Sequence, residues 1–163
     1  MTGIAKGVGK AIAVTLVLAL LAWTCVFLYW QIQIIRALRI WEKDATPWRS
    51  VLYWRQSGAP PEASRILDRA GCRALPYFVG SLDGPGTAAF KEGLVGRFIQ
   101  CLAGPIRDKE TVRILDERYE EWGMELRTTP AQREEKISKV KAWWGAHRSQ
   151  HHQWWRVWSS NCR

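Results

Sequence analysis

The chain has 163 residues, 47% of them hydrophobic and 24% charged, with 13 Gly and 7 Pro. That balance excludes a collagen-like chain, a long low-complexity tract and wholesale disorder. Lys and Arg number 24 against 15 Asp and Glu, a net charge of +9, and there are eleven Trp against four Phe. Such a length holds one compact domain with an appendage.

Residues 1–10 form a short basic N-terminus carrying Lys6 and Lys10. From Ala11 to Ile35 no residue is formally charged. As a helix this stretch would be about 37 Å long, against a hydrocarbon core of about 30 Å, so it is long enough to span a bilayer with some tilt. A single segment that crosses must be helical, because one strand cannot close a barrel. A buried helix of a soluble domain would need an all-round apolar environment that the remaining chain is too short to build. A cleaved signal peptide fits poorly, because the apolar run is too long and Phe27, Tyr29 and Trp30 follow where small residues should stand. Residues 11–45 therefore read as a transmembrane helix with a juxtamembrane extension, meeting lipid through residues 11–35. Trp30, Arg36, Arg39, Trp41 and Lys43 are the expected membrane-interface residues, with Trp48 just beyond. Four basic residues (Arg36, Arg39, Lys43, Arg49) follow the span, against Lys6, Lys10 and the amino terminus before it. By the positive-inside rule this narrowly favours a cytoplasmic C-terminal domain. Cys72, Cys101 and Cys162 lie outside the span, an odd number with no C-x-x-C pair. They read as reduced thiols.

Residues 46–146 read as short helices punctuated by Gly and Pro. Thr46-Pro47 opens one with Trp48, Val51 and Leu52 on a face, and Gly58 stops it. Pro60 and Pro61 open the next. Its Ala63, Ile66, Leu67 and Ala70 recur at helical spacing, and Gly71 is the stop. Cys72 to Leu82 is a third apolar helix with Pro76 in its first turns. Asp83-Gly84-Pro85-Gly86 is a loop. Thr87 caps a helix whose stripe is Phe90, Leu94, Phe98 and Leu102, widened by Val95 and Ile99, until Gly104-Pro105. Val112, Leu115, Tyr119 and Trp122 form another stripe, ended by Gly123. Thr129-Pro130-Ala131-Gln132 is a capping box, and Ile137, Val140 and Trp144 line one side of the helix it starts. Alternating strand patterns are absent, so the fold class is all-α, a small helical bundle behind the N-terminal helix.

Residues 71–102 resemble a HEAT-type repeat. The resemblance lies in Gly71, Ala74, Pro76, Tyr77 and Phe78, then Leu82-Asp83, then Leu94, Phe98 and Leu102 after a polar break. Lys91 is the nearest match to the Arg common early in the second helix of such units. Residues 61–71 would close a preceding unit. Residues 130–144 are similar to a helix found after such repeats in bacterial proteins, through Pro130, Arg133, Glu134, Glu135, Trp143 and Trp144. The resemblance implies antiparallel helix hairpins and protein binding on a helical surface, not catalysis.

Residues 108–135 hold nine acids and five bases, whereas residues 136–163 hold six bases and no acid. Residues 147–163 form a basic tail rich in Trp and His, in which Trp154, Trp155, Arg156 and Trp158 are candidate binding residues. Indole rings interleaved with basic side chains suit an anionic lipid surface, with nucleic acid as the less favoured ligand. Core packing is the competing role for Trp143 and Trp144. His147 and His151 stand at i, i+4 and could share a metal, although two more ligands would be needed and Cys162 is one option. G-x-S-x-G, P-loop and dinucleotide motifs are absent, so no catalytic residue and no cofactor is expected. The chain thus reads as a single-pass, non-enzymatic membrane protein whose helical domain docks a protein partner, as scaffold or accessory subunit. The rival reading is lipid or nucleic-acid binding through the tail, with a membrane-bound enzyme third.

Overall fold

The computed structural model describes the backbone of residues 2–44, 59–103, 109–124 and 128–151. Six α-helices follow in order: α1 (Thr2–Lys43), α2 (Pro61–Ala70), α3 (Leu75–Ser81), α4 (Ala88–Ala103), α5 (Lys109–Trp122) and α6 (Pro130–His151). Among the described residues there is no strand. The expected helix at Thr46–Gly58 and the stop at Gly104-Pro105 lie outside the described residues.

From Ala11 to Lys43 the chain has neither Gly nor Pro, so nothing in it breaks a helix, and α1 runs unbroken from apolar stretch to charged extension. Thr15 and Thr24 donate their hydroxyls to the carbonyls of Ala11 and Leu20, at 3.0 and 2.8 Å. These bonds hide the two hydroxyls on the helix's own backbone. No residue from Ala11 to Tyr29 is buried by the rest of the protein, and Leu16, Leu18 and Leu20 are more than half exposed. One N-terminal helix is therefore long and apolar enough to span a membrane. The next turns differ. Ile34, Ala37, Leu38 and Trp41 are buried in the domain core, at i, i+3, i+4 and i+7. The last three turns of α1 thus act as a helix of the globular domain.

Helix α2 packs along that face of α1. Pro61 stands in its first turn, and Gly71 ends it with φ 55°, a backbone that an L side chain rarely adopts. Its buried stripe is Ala63, Leu67 and Ala70, where the small side chains allow close approach. The third helix begins later than its apolar pattern predicts. Gly71–Ala74 is a 3-10 turn, in which Leu75 N–H reaches back three residues to the Cys72 carbonyl. Pro76 explains it: the residue has no N–H to give an α-bond, and its ring crowds the carbonyl four residues back.

Thr87 caps α4, accepting from Phe90 N–H at 3.2 Å. The Cys101 thiol near the end of α4 lies 4.0 Å from the Gly71 carbonyl, and a short loop joins α3 to α4. Those contacts make the two helices antiparallel. Phe90, Leu94, Val95, Phe98 and Ile99 are all buried, so α4 is the central helix of the core. Tyr119 and Trp122 bring α5 against it. The Tyr119 hydroxyl donates to the Gly96 carbonyl at 3.2 Å, and the Phe98 and Trp122 rings are 6.1 Å apart. Leu115 is buried in the core as its spacing predicts, whereas Val112, in the first turn of α5, departs from expectation at 42% exposed. Gly123 ends α5 for a steric reason: a Cβ there would sit 2.3 Å from the Tyr119 carbonyl oxygen, which accepts the Gly123 N–H at 2.8 Å.

The capping box of α6 forms in both directions. Gln132 N–H donates to Thr129 Oγ1 at 3.3 Å, and Thr129 N–H donates to Gln132 Oε1 at 3.0 Å. Ile137, Val140 and Trp144 are buried, and the Phe98 ring contacts both Trp143 and Trp144 edge-on. Trp143 and Trp144 therefore belong to the core.

Burial leaves a pH signature here. Desolvation pushes the Cys101 thiol from 9.0 up to about 11 and the Tyr119 phenol from 10.0 up to about 12. The fold favours both neutral forms. Their contribution is complete below about pH 9 and is lost as pH rises through 11 for the thiol and 12 for the phenol. Tyr119→Phe is expected to flatten the upper part of that alkaline loss, and Cys101→Ala the lower part. Melting of the full chain in detergent between pH 8 and 12 checks this; unchanged curves would refute it.

Candidate functional site at the membrane boundary

Where the bare part of α1 ends, a collar of polar and aromatic groups begins. Residues 11 to 29 are 19 in number, about 28 Å of helix, close to the thickness of a hydrocarbon core. Trp30 follows, half-buried, with its ring beneath the guanidinium of Arg73 at 4.9 Å. Burial lowers the pKa of Arg73, and its Nε has no hydrogen-bond partner. A guanidinium over an indole face is a stable arrangement for a partly desolvated cation. Tyr77 sits in the same place. Burial raises its pKa, opposed by a hydrogen bond with Gln31. Arg73 and Tyr77 come from the turn and helix after α2, so the globular domain is docked directly on the residues that follow the bare apolar stretch.

Of the expected interface residues, Trp30 stands in this collar. Arg36, Arg39 and Lys43 are exposed on the face of α1 turned away from the core. Arg36 makes a 3.0 Å ion pair with Glu62 of α2. Lys43 lies in the last turn of α1, where a cation favours the helix dipole. Ile32, Ile35 and Ile40 alternate with these three basic residues along an open groove. Trp41 is the correction. It is fully buried, edge-on to Phe90 at 5.5 Å, and therefore a core residue without access to a lipid surface. Its place in the sequence, just after the apolar run, suits a membrane belt, but the helix phase turns it inward with Ile34, Ala37 and Leu38.

Of the two metal candidates, only the side chain of His147 is described. The ring of His147 stacks on Trp143 at 4.5 Å, and its Nδ1 lies 2.8 Å from the Trp143 carbonyl. Among the described residues, no group of three or more His, Cys, Asp or Glu could hold a metal ion. The side chain of His151, and Trp154, Trp155, Arg156 and Trp158, lie outside the described residues.

Sequence reasoning missed three features. The first is Arg73, an isolated cation whose partner Trp30 is distant in sequence. The second is the Glu92–Arg133 ion pair, 3.0 Å, which ties α4 to α6 with side chains 7% and 16% exposed. Arg133 also donates to the Thr128 carbonyl at 3.3 Å. The third is Cys72. It is disulfide-bonded, whereas Cys25 and Cys101 are free. The odd count outside the span suggested reduced thiols, and Cys72 departs from that expectation.

Comparison of the chain with protein-family models, with curated proteins and with solved structures returns no match.

Proposed function

We propose that this chain is a single-pass membrane-anchored, non-enzymatic helical interaction module, acting as a scaffold or accessory subunit. The supporting observation is α1 itself: bare and apolar for 19 residues, then continuous with the core of the domain. Such a construction fixes the domain rigidly at the bilayer surface instead of hanging it on a linker. The antiparallel pair α3 and α4 fits a HEAT-like hairpin, the kind of unit that presents a helical surface to another protein. Asp116, Glu117, Glu120 and Glu121 on α5 are exposed and offer an acidic face to a basic partner. A second reading is favoured by Arg39 and Lys43, exposed within four turns of the boundary, which suit anionic headgroups.

Two measurements test the main reading. The full chain should stay in the membrane pellet after an alkaline carbonate wash and leave it only with detergent. The reversal pair D116K and E120K should abolish copurification of a reproducible protein partner while the melting temperature stays within about 2 °C. Release by carbonate sinks the anchor; an unaltered set of copurifying proteins sinks the acidic docking face.

A further inference from the structure

We propose, resting on the reading of α1 as a span, that the face of α1 opposite the domain core is a docking surface for anionic phospholipid. It lies on the headgroup layer because α1 crosses the bilayer tilted by about 40°. Helical spacing puts Ile32, Ile35, Arg36, Arg39 and Lys43, at i, i+3, i+4, i+7 and i+11, on one face. All five are exposed, Ile32 by 62% and Ile35 by 40%. Ile34, Ala37, Leu38 and Trp41 face the other way, into the core.

The two sides of α1 therefore lose their bare apolar surface at different heights. On the domain side it ends at Trp30, whose ring Arg73 covers. On the outer side it runs on through Ile32 and Ile35 and ends at Arg36. The offset from Trp30 to Arg36 is six residues, about 9 Å along the axis. An upright helix would leave both isoleucines in water on that side.

A tilt removes the conflict. Across a helix about 10 Å wide, an offset of about 9 Å brings both ends of the apolar surface to one plane at about 40°. The uncharged run from Ala11 to Ile35 gives a second value. Its 25 residues are about 37 Å long, and they fit a hydrocarbon core of about 30 Å when tilted by about 37°. One length is taken across the helix and the other along it, and both require the same tilt. The angle is at the steep end of the range for membrane helices.

Such a tilt turns the outer face down onto the leaflet. Upright, Lys43 would stand about 21 Å above the bare stretch, beyond both the headgroup layer and a Debye length of about 8 Å. Tilted, its backbone comes within about 10 Å of the hydrocarbon edge, and an extended Lys side chain reaches the phosphates. Arg36 is already paired with Glu62 at 3.0 Å. Arg39 and Lys43 form no ion pair among the described residues. They stand beside Ile32, Ile35 and Ile40 along the open groove. Apolar side chains for the acyl region, followed by two cations without a counter-charge, complement a lipid with net negative charge better than a zwitterionic one.

The full chain reconstituted in vesicles tests the lipid class and the tilt separately. With spin-labelled phosphatidylglycerol and phosphatidylcholine as probes, the lipid immobilised by the protein should favour phosphatidylglycerol by about fivefold or more. R39Q combined with K43Q should lower that preference by about threefold or more, with the melting temperature within about 2 °C, because both side chains are exposed. An unchanged preference would overturn the lipid site. For the tilt, I32C and I35C are treated in vesicles with N-ethylmaleimide, which crosses bilayers but alkylates thiols only in water. Neither should label above the wild-type background, whereas D116C, on the exposed side of α5, should label fully. Labelling of I32C and I35C like D116C in a carbonate-resistant chain would overturn the tilt and leave the span standing. Protection lost on about tenfold dilution of the chain in lipid would assign the face to a second copy and overturn the lipid site. Release of the chain by carbonate would overturn the span and the surface together.

Discussion

Arg133→Ala is expected to destabilise the domain by about 3–5 kcal/mol. Glu92 has a side chain only 7% exposed, in the middle of a helix otherwise lined by Phe90, Leu94 and Val95. Arg133 supplies its counter-charge across 3.0 Å and also bonds the Thr128 carbonyl at the start of α6. Truncation leaves a carboxylate away from water with nothing opposite. The cost is that of stranding the charge, and it exceeds what the pair contributes against an apolar pair of equal volume. E92L combined with R133M should therefore be far less harmful than R133A alone, and Glu92→Gln should fall between them. Guanidinium unfolding of the full chain in detergent, followed by Trp fluorescence, measures all three. An R133A midpoint corresponding to less than about 1 kcal/mol would show that water reaches Glu92 and that the pair does not hold α4 to α6.

Trp41→Ala is expected to cost about 3–5 kcal/mol, the range for emptying a fully buried large aromatic site. The same substitution at Trp30 should cost less, because Trp30 is half-buried and its main described partner is the Arg73 cation. Trp41→Phe should recover much of the loss. It keeps an aromatic ring against Phe90 and deletes an indole N–H that has no hydrogen-bond partner. The two roles open to Trp41 predict opposite results. A belt residue at the lipid surface would leave domain stability unchanged on truncation and alter membrane partitioning. A core residue alters stability and leaves the chain in the membrane. Unfolding midpoints together with carbonate retention of W41A separate them.

The ends of the helices were legible because they are written in local chemistry. Pro61 can only start a helix, Gly71 has the positive φ that stops one, and Thr129 with Gln132 closes a reciprocal cap within four residues. The stripes of α2, α4 and α6 were legible because apolar residues at helical spacing must find a core. Val112 broke that rule: it shares the spacing of Leu115, Tyr119 and Trp122 but is exposed in the first turn of α5. Pro76 was seen, but its effect on the preceding turn depends on where the chain leaves α2.

Read alone, the sequence determined that the protein is helical and that an uncharged rod precedes its domain, because both follow from composition and short-range period. Where the bare rod ends was decided only by tertiary structure. Ile34 and Leu38 are as apolar as Leu18 and Leu20, and no local property marks them for a protein core instead of lipid. The rotation of α1 against α2 and α4 makes that choice, and with it turns Trp41 inward and leaves Arg36, Arg39 and Lys43 outside. Glu92 with Arg133, and Arg73 with Trp30, are likewise pairs made by the packing of distant helices, and period and capping carry no trace of them.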